Sequence, residues 1–346
     1  MDRHIIKQNE TIRKALEQLN NLSGEAMTLI VTDADNHAIG TLTDGDIRRS
    51  IIAGHQLDDM VYSIAYRQFE YVRKGSAEVA RLKELRQRGI RLIPVLDNEN
   101  HLCELIDLNT TANRLPVSAL IMAGGKGERL RPLTLSKPKP LLEIEGKAII
   151  DYNVEALAKA GIDNITVSTK YLAEQIENHF SKSVAGVDVR CMREDEPMGT
   201  IGAIAMVDDF THSTVLVMNS DLLTDISFED MYIKHVEEEA DITVAAIPYT
   251  LSVPFAILST EGSRITALEE KPVYSYYANA GIYLISEKAA AMVKRGERTD
   301  ATDLIERAIA SGLKVVYFPI NGTWIDVGTP ADFRHAADIM KYHLNR

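Results

Sequence analysis

Ala123-Gly124-Gly125-Lys126-Gly127-Glu128-Arg129-Leu130-Arg131-Pro132-Leu133-Thr134 decides the fold of the larger part of this chain. It directly follows an apolar strand expected over Ser118 to Met122. Glycines at such a turn let the backbone approach a ligand closely and offer N–H groups to phosphate oxygens. Arg129 adds a bidentate phosphate donor, and Lys126 and Arg131 add charge. Taken alone, the stretch is also compatible with a plain tight βα turn. It does not continue into the Walker pattern or the full dinucleotide fingerprint, which disfavours a P-loop kinase or an NAD enzyme. Shortly after comes Lys137-Pro138-Lys139-Pro140-Leu141. Its two prolines are expected to hold the backbone extended and to aim Lys139 in a set direction, as a cation suited to a triphosphate.

Outward from this turn, apolar β-rich runs alternate with helical stretches. Strands are expected at Ile165 to Ser168, Val187 to Cys191, Val215 to Met218 and Ile242 to Ile247. Helices are expected at Ile149 to Lys159, Leu172 to Phe180, Thr200 to Met206 and Phe228 to Glu239, with Gly161 closing the first of them. Such alternation reads as βαβ units around a mostly parallel sheet, an α/β, Rossmann-like domain. Phe255 to Leu258, Arg264 to Leu268 and Ala278 to Ile285 look like added strands. Helical segments at Asp300 to Ser311 and Pro330 to Tyr342 flank a strand at Lys314 to Phe318.

The N-terminal third is different. Val31-Thr32-Asp33-Ala34-Asp35-Asn36-His37 reappears as Val95-Leu96-Asp97-Asn98-Glu99-Asn100-His101. The offset of about 64 residues is one supersecondary unit. Each copy runs helix (Ile12 to Leu22; Ala77 to Arg88), strand (Thr28 to Val31; Arg91 to Val95), Asp/Asn turn and strand (Ala38 to Leu42; Leu102 to Ile106). The copies cover about 1–62 and 63–115, an α+β pair. The aperiodic stretch Thr110 to Pro116 marks the boundary to a second domain at 117–346.

Composition narrows the function. The 346 residues are 45% hydrophobic and 25% charged, ordinary for a globular protein with two cores. Fifty acidic against 38 basic residues give a net charge of −12, which argues against nucleic-acid binding, since phosphate backbones need a basic face. Small phosphorylated ligands need only a few local cations. Two distant cysteines, Cys103 and Cys191, make neither a disulfide framework nor a cysteine-based zinc cluster and fit a reducing compartment. Met1-Asp2-Arg3-His4 starts no signal peptide, and no apolar run approaches the roughly 20 residues that span a bilayer, so a cytoplasmic location is expected.

The glycine turn and the Lys-Pro-x-Pro-Leu stretch together resemble the signature of the sugar-1-phosphate nucleotidyltransferases, also called nucleotide-sugar pyrophosphorylases. Further motifs fit that resemblance: Glu196-Pro197-Met198-Gly199-Thr200-Ile201-Gly202-Ala203, Asn219-Ser220-Asp221, Glu269-Glu270-Lys271-Pro272, Asn279-Ala280-Gly281-Ile282-Tyr283 and Trp324-Ile325-Asp326-Val327-Gly328-Thr329-Pro330. Glu128 stands where many members carry a small hydroxyl residue, and Ser220 where glycine is commoner. The resemblance implies attack of a sugar 1-phosphate on the α-phosphorus of a nucleoside triphosphate. It implies Asp221 and Asp326 as ligands of Mg²⁺, an oxygen-seeking ion. It implies Arg129 on the leaving pyrophosphate, Lys139 on the transferring phosphate, and Ala123, Gly124, Gly125, Lys126, Gly127, Gly199 and Thr200 around the nucleotide. Lys271 is implied on the sugar phosphate, with Glu270 and Asn279 on sugar hydroxyls.

Pyrimidine-using relatives carry an amide side chain ahead of the Pro-x-Gly turn, and this chain carries Glu194-Asp195-Glu196. A carboxylate at Glu194 or Glu196 matches the N1–H and exocyclic amine of guanine, which favours GTP over UTP or dTTP. Gly40-Thr41-Leu42-Thr43-Asp44-Gly45-Asp46-Ile47 resembles the CBS-domain signature, which implies Thr43 on a nucleotide phosphate and Asp46 on ribose. In the second copy Glu104, Asp107 and Thr110 replace Gly40, Thr43 and Asp46, so at most one adenine or guanine nucleotide site is expected there. A dimerising role for the pair, giving a homo-oligomer, is the other reading. A CBS pair joined to such a transferase resembles the guanylyltransferases of bacterial surface-sugar pathways, those making GDP-glucosamine for legionaminic acid among them. Glucosamine 1-phosphate is therefore favoured, with mannose 1-phosphate and heptose 1-phosphate open. A catalytically silent nucleotide sensor is the non-enzyme alternative.

Overall fold

Two tandem copies of one pattern build the N-terminal unit. In the first, β1 (Ile5–Lys7) leads to α1 (Ile12–Asn20), whose Ile12, Ala15 and Leu19 recur at helical spacing and are buried. The Thr11 hydroxyl accepts from Lys14 N at 3.2 Å and caps its start. Then come β2 (Thr28–Thr32), β3 (Ala38–Thr43) and α2 (Asp44–Ile52). The second copy has β4 (Val72–Arg73), α3 (Val79–Gln87), β5 (Leu92–Leu96) and β6 (Leu102–Asp107). Each sheet pairs its first two strands parallel and its last two antiparallel. The bulge between Val31 and Thr32 recurs between Val95 and Leu96, and the left-handed turn residue Asn36 recurs as Asn100. The copies meet through buried Ile30, Leu92 and Leu96 and through stacked rings of His37 and His101, 4.3 Å apart.

The computed structural model describes residues 2–74, 79–108, 115–208 and 210–344 and divides the chain into compact units at 1–114 and 115–346. Ala77, at the expected start of the second helix, and Thr110 lie outside the described residues. The expected boundary stretch from Thr110 begins outside them too.

The larger unit opens with β7 (Val117–Ala123), a nearly continuous buried apolar run of the kind that sits inside a sheet covered on both faces. Two short strands follow, β8 (Glu143–Ile144) and β9 (Lys147–Ala148), then α4 (Ile149–Lys159), β10 (Ile165–Thr169), α5 (Ala173–His179) and β11 (Val189–Arg193). Next come β12 (Thr214–Asn219), β13 (Leu222–Thr224), α6 (Phe228–Glu237) and β14 (Ile242–Ser252). After β15 (Ile257–Glu261) and β16 (Arg264–Glu269) the chain runs through β17 (Val273–Ser286), α7 (Glu287–Ala290), α8 (Ala301–Ala310), β18 (Val315–Pro319), β19 (Trp324–Asp326) and α9 (Pro330–Leu344). The main sheet has the order β11-β10-β7-β12-β17-β14-β18. Four of its six pairings are parallel; β17 runs against both neighbours.

The expected elements are present with shifted ends. The helix expected at Thr200 to Met206 is a 3₁₀ turn at Gly202–Met206, and the late strands run longer than their apolar cores. The expectation of an extended backbone at Lys139 is corrected. Pro138 is extended (φ −66°, ψ 144°), but Lys139–Leu141 is a 3₁₀ turn with Leu142 N bonded to Lys139 O at 3.1 Å. Proline is well suited to open such a turn, because its missing N–H is not needed there.

Strand order places the site. The chain leaves β7 toward β10 and β11 on one side, then returns to pair β12 on the other. The crevice where such an order reverses, at the carboxyl ends of the strands, is where open α/β sheets bind ligands. The glycine turn follows β7 directly, and Asp221 lies two residues past the end of β12.

Candidate active site

A cleft of about 680 Å³ opens at that reversal, lined by Gly124, Gly125, Gly127, Arg129, Lys139, Glu194, Gly199, Thr200 and Asp221. A second hollow of about 420 Å³ shares Thr200, Asn219 and Asp300 with it and reaches Asn279, Trp324 and Asp326.

The two acidic residues are brought together by β13 and β19. Their antiparallel register sets Asp326 opposite Leu222, and Val327 N donates to Asp221 O at 3.0 Å. The side chain of Lys139, itself buried, donates to Asp221 Oδ2, and its Nζ lies 3.7 Å from Asp326 Oδ1. Oδ1 of each aspartate is buried without a hydrogen-bond partner. Burial first, and then the neighbouring Asp221 charge, push the Asp326 carboxyl above its ordinary range, against the pull of Lys139 and Arg129. Two carboxylates with unused inward oxygens are a donor set that fits a hard divalent cation.

Ser220 fills the place where glycine is commoner. Its N donates to Met122 O at 3.1 Å and its O accepts from buried Asn153 Nδ2 at 3.2 Å, so the turn before Asp221 is held without glycine. Gly127 starts the 3₁₀ turn that carries Arg129, in the left-handed region at φ 61°. The Arg129 guanidinium lies against Gly328. Gly199 has φ 80°, and a Cβ there would sit 2.4 Å from Thr299 O. Thr200 clasps the start of α8: its N donates to Asp300 Oδ1 at 2.9 Å, and its hydroxyl accepts from Ala301 N at 2.8 Å.

Several expected site residues stand elsewhere or are engaged. Lys126 and Arg131 are outside the cleft lining, and Arg131 pairs with Glu128 at 3.3 Å, which partly offsets an acidic group that does line it. Glu194 is buried; Oε1 accepts from Ser168 Oγ and Oε2 accepts from Met198 N at 3.0 Å. Its first task is therefore bracing the turn, not waiting open for a base. Glu196 is exposed and is not among the residues that line the cleft. Glu270 and Lys271 are exposed, beyond the residues that line either hollow, and Lys271 sits at φ 47°. Asn279 does line the second hollow, with its Oδ1 on Gly281 N at 2.9 Å.

Motif reading passed over Arg298 and Asp300, which line the cleft and lie 3.4 Å apart. The signal available was a helix cap: Asp300 and Asp303 form a capping box on α8. Cys191 is no nucleophile candidate, since burial pushes its thiol up to about 11.

In the N-terminal unit, a hollow of about 480 Å³ is lined by Thr43, Tyr66, Phe69, Glu70, Arg88 and Arg91. Asp46 is not among its lining residues. Its Oδ2 accepts from Thr43 N and Oγ1 at 2.8 and 2.6 Å, and its Oδ1 accepts from Arg49 at 2.6 Å. The Thr-x-x-Asp pattern forms a capping box that starts α2, so both residues expected at a nucleotide are engaged at the start of that helix.

Strand order and cleft define an open α/β fold with its hollow at the reversal of strand order, and solved structures share that fold. HddC from Yersinia pseudotuberculosis superposes with a TM-score of 0.52 at 22% identity, over 65% of this chain and 99% of that one. The nucleotidyl transferase family profile matches residues 118–342, so the chain belongs to that family; the CBS-domain profile matches residues 2–53. Mannose-1-phosphate guanyltransferase beta-A of Xenopus laevis is 32% identical over 226 residues, 63% of this chain and 62% of that protein. The D-glycero-alpha-D-manno-heptose 1-phosphate guanylyltransferase of Aneurinibacillus thermoaerophilus is 30% identical over 231 residues, 66% of this chain and all of that protein. The chain thus spans somewhat less than two thirds of the length of the first of these relatives.

Proposed function

We propose that the larger unit transfers a guanylyl group from GTP to a sugar 1-phosphate, giving a GDP-sugar and pyrophosphate. The observation that carries this reading is the convergence of Asp221, Asp326, Lys139 and Arg129 beside the glycine turn at the sheet's reversal point. A phosphate oxygen of the sugar 1-phosphate attacks the α-phosphorus as the bond to pyrophosphate breaks. The nucleophile is already an anion, so no general base is needed, and the barrier is the meeting of two polyanions. A divalent cation, Mg²⁺ in this reading, would be held by Asp221 and Asp326 and would supply positive charge against the α-phosphate. Arg129 and the N–H groups of the glycine turn hold the leaving pyrophosphate oxygens. Lys139, which rests on the two carboxylates, supplies a cation for the transferring phosphate. Asn279 faces the sugar. Lys271 and Glu270 reach it only if the exposed arm that carries them moves inward.

The GTP preference rests on relatives named as guanylyltransferases and on the remaining lone pairs of Glu194. Glucosamine 1-phosphate is the favoured acceptor, mannose and heptose 1-phosphates the alternatives. We also propose that the N-terminal unit binds a purine nucleotide in the hollow beside Thr43, Tyr66 and Phe69, and that it contributes to self-association. Free Cys103 and Cys191 suit a reducing cytoplasm. Pyrophosphate release measured with GTP, UTP or dTTP, Mg²⁺ and a panel of sugar phosphates tests the reading. Turnover with GTP and one of the panel is expected. A pyrimidine preference overturns the base assignment, and no turnover with any pair leaves a nucleotide sensor.

A further inference from the structure

The cleft and the second hollow share Thr200, Asn219 and Asp300, which mark the junction between them. Asp300 is the one charged residue of the three. In the reaction proposed above, the acceptor's phosphate sits where nucleotide and sugar meet, and the sugar ring fills the second hollow. The ring positions nearest that junction are then the anomeric carbon's neighbours, the ring oxygen and C2. An ether oxygen only accepts hydrogen bonds, so the substituent on C2 is the nearest group that can donate one.

Asp300 is prepared to receive it. Its Oδ1 accepts from Thr200 N at 2.9 Å, which fixes the carboxylate at the junction. Its Oδ2 is met only loosely, by Arg298 Nη2 at 3.4 Å, and the Arg298 side chain is 70% exposed. An exposed ion pair of that length contributes little, so Oδ2 keeps acceptor capacity for a ligand. The rest of the hollow agrees in sign. Its lining, among the described residues, holds two carboxylates, Asp300 and Asp326, and no Lys, Arg or His. Such a wall disfavours a ring that carries an acid of its own and suits one that carries a cation. Trp324 spends its indole N–H on Ala280 O at 2.9 Å and so offers the hollow apolar ring surface, as the carbon skeleton of a sugar requires.

We infer that Asp300 is the specificity-determining residue for the acceptor: its Oδ2 accepts from a protonated amine on C2 of a hexose 1-phosphate. The inference deepens the reading of the site as a sugar-1-phosphate transferase and rests on it for the place of the phosphate. An ammonium group makes a charge-assisted bond where a hydroxyl makes a neutral one, a difference of about tenfold in affinity. An N-acetyl group would set its carbonyl and its bulk against the carboxylate, so the N-acetylated sugar is rejected.

Glucosamine 1-phosphate and glucose 1-phosphate differ only at C2, and their kcat/KM ratio is the readout. It is measured on the full chain with Mg²⁺ and whichever of GTP, UTP and dTTP supports turnover, in the wild type and in Asp300→Asn. The variant keeps an oxygen for Thr200 N and a residue that caps helices well; Asp300→Ser takes its place if it misfolds. The wild type is expected to favour the amino sugar by about tenfold, through KM, and the variant to bring the ratio near one. A merely bracing role would weaken both sugars together and leave the ratio as it was. That result, or a wild type with no preference for the amine, overturns the inference. If no triphosphate supports turnover, the transferase reading falls by itself, and Trp324, the single tryptophan of the chain, decides this one. Its emission is titrated with each sugar phosphate, alone and with a non-hydrolysable triphosphate analogue. A half-saturation about tenfold lower for glucosamine 1-phosphate, lost in the variant, supports Asp300; equal or absent responses overturn it.

Discussion

Asp221 and Asp326 carry the argument at the residue scale. They are 105 positions apart in sequence and share one ammonium group, that of Lys139. Asp221→Asn should lower turnover by roughly three orders of magnitude while the circular dichroism spectrum is retained, because it removes charge from the cation site without removing volume. Isothermal titration with Mn²⁺ or Mg²⁺ should show the binding heat lost in parallel; near-normal rates would take Asp221 out of the metal site. Asp326 makes a prediction of opposite sign for stability. Its carboxyl is raised above its unfolded value, so the protonated form is favoured by folding. That contribution is full below the unfolded value and is lost as pH rises through the folded one. Asp326→Asn should therefore raise the cation-free melting temperature at pH 7 by about 1–2 °C, a small figure because the group is partly solvated. The gain should vanish in acid, and a destabilised neutral variant at pH 7 would contradict the repulsion between the two carboxylates. Glu194 separates two roles. Glu194→Ala removes the acceptor of buried Met198 N and should cost about 1–3 kcal/mol in denaturant unfolding. Glu194→Gln keeps one acceptor oxygen, so a selective rise in the KM for GTP with kcat unchanged would reveal contact with the base.

Elements decide what those residues can reach. Asp221 and Asp326 meet because the short β13–β19 pairing has a register that leaves no other arrangement. The Pro-x-Gly turn docks on α8 because Gly199 has no side chain to strike Thr299. Gly199→Ala combines a left-handed backbone with a blocked contact and should destabilise by about 2 kcal/mol or more, read as a lower urea midpoint, with a raised KM for the nucleotide. An unchanged midpoint would mean that the turn relaxes freely. In the N-terminal unit, Thr43→Ala opens the capping box of α2 and should cost about 1 kcal/mol. Asp46 would keep its ion pair with Arg49, so a ribose role for Asp46 predicts a greater loss of nucleotide binding in Asp46→Ala than in Thr43→Ala.

At the scale of the whole molecule, two units with separate cores carry two hollows of nucleotide size. Calorimetry of the full chain with AMP, ATP, GMP and GTP should give more than one binding event if the N-terminal hollow is occupied. A single event abolished by Arg129→Ala would confine nucleotide to the larger unit. No helix among the described residues is long and apolar enough to cross a membrane.

Local pattern determined much of this protein. The glycine turn, the alternating elements and the 64-residue repeat each depend on neighbours within a few residues or on a copied stretch. Hydrophobic period, turn chemistry and proline act at that range. The repeat is legible as helix, strand, Asp/Asn turn and strand, and the structure adds a bulge after Val31 that recurs after Val95. Tertiary structure alone decided that Glu194 is spent on Ser168 as well as on the nearby Met198. It also decided that Arg298 and Asp300 join the cleft and that Glu270 and Lys271 stand apart from it. A motif specifies which chemistry a side chain can offer. What occupies its hydrogen bonds is set by groups tens to a hundred residues distant, and only packing brings those within three ångströms.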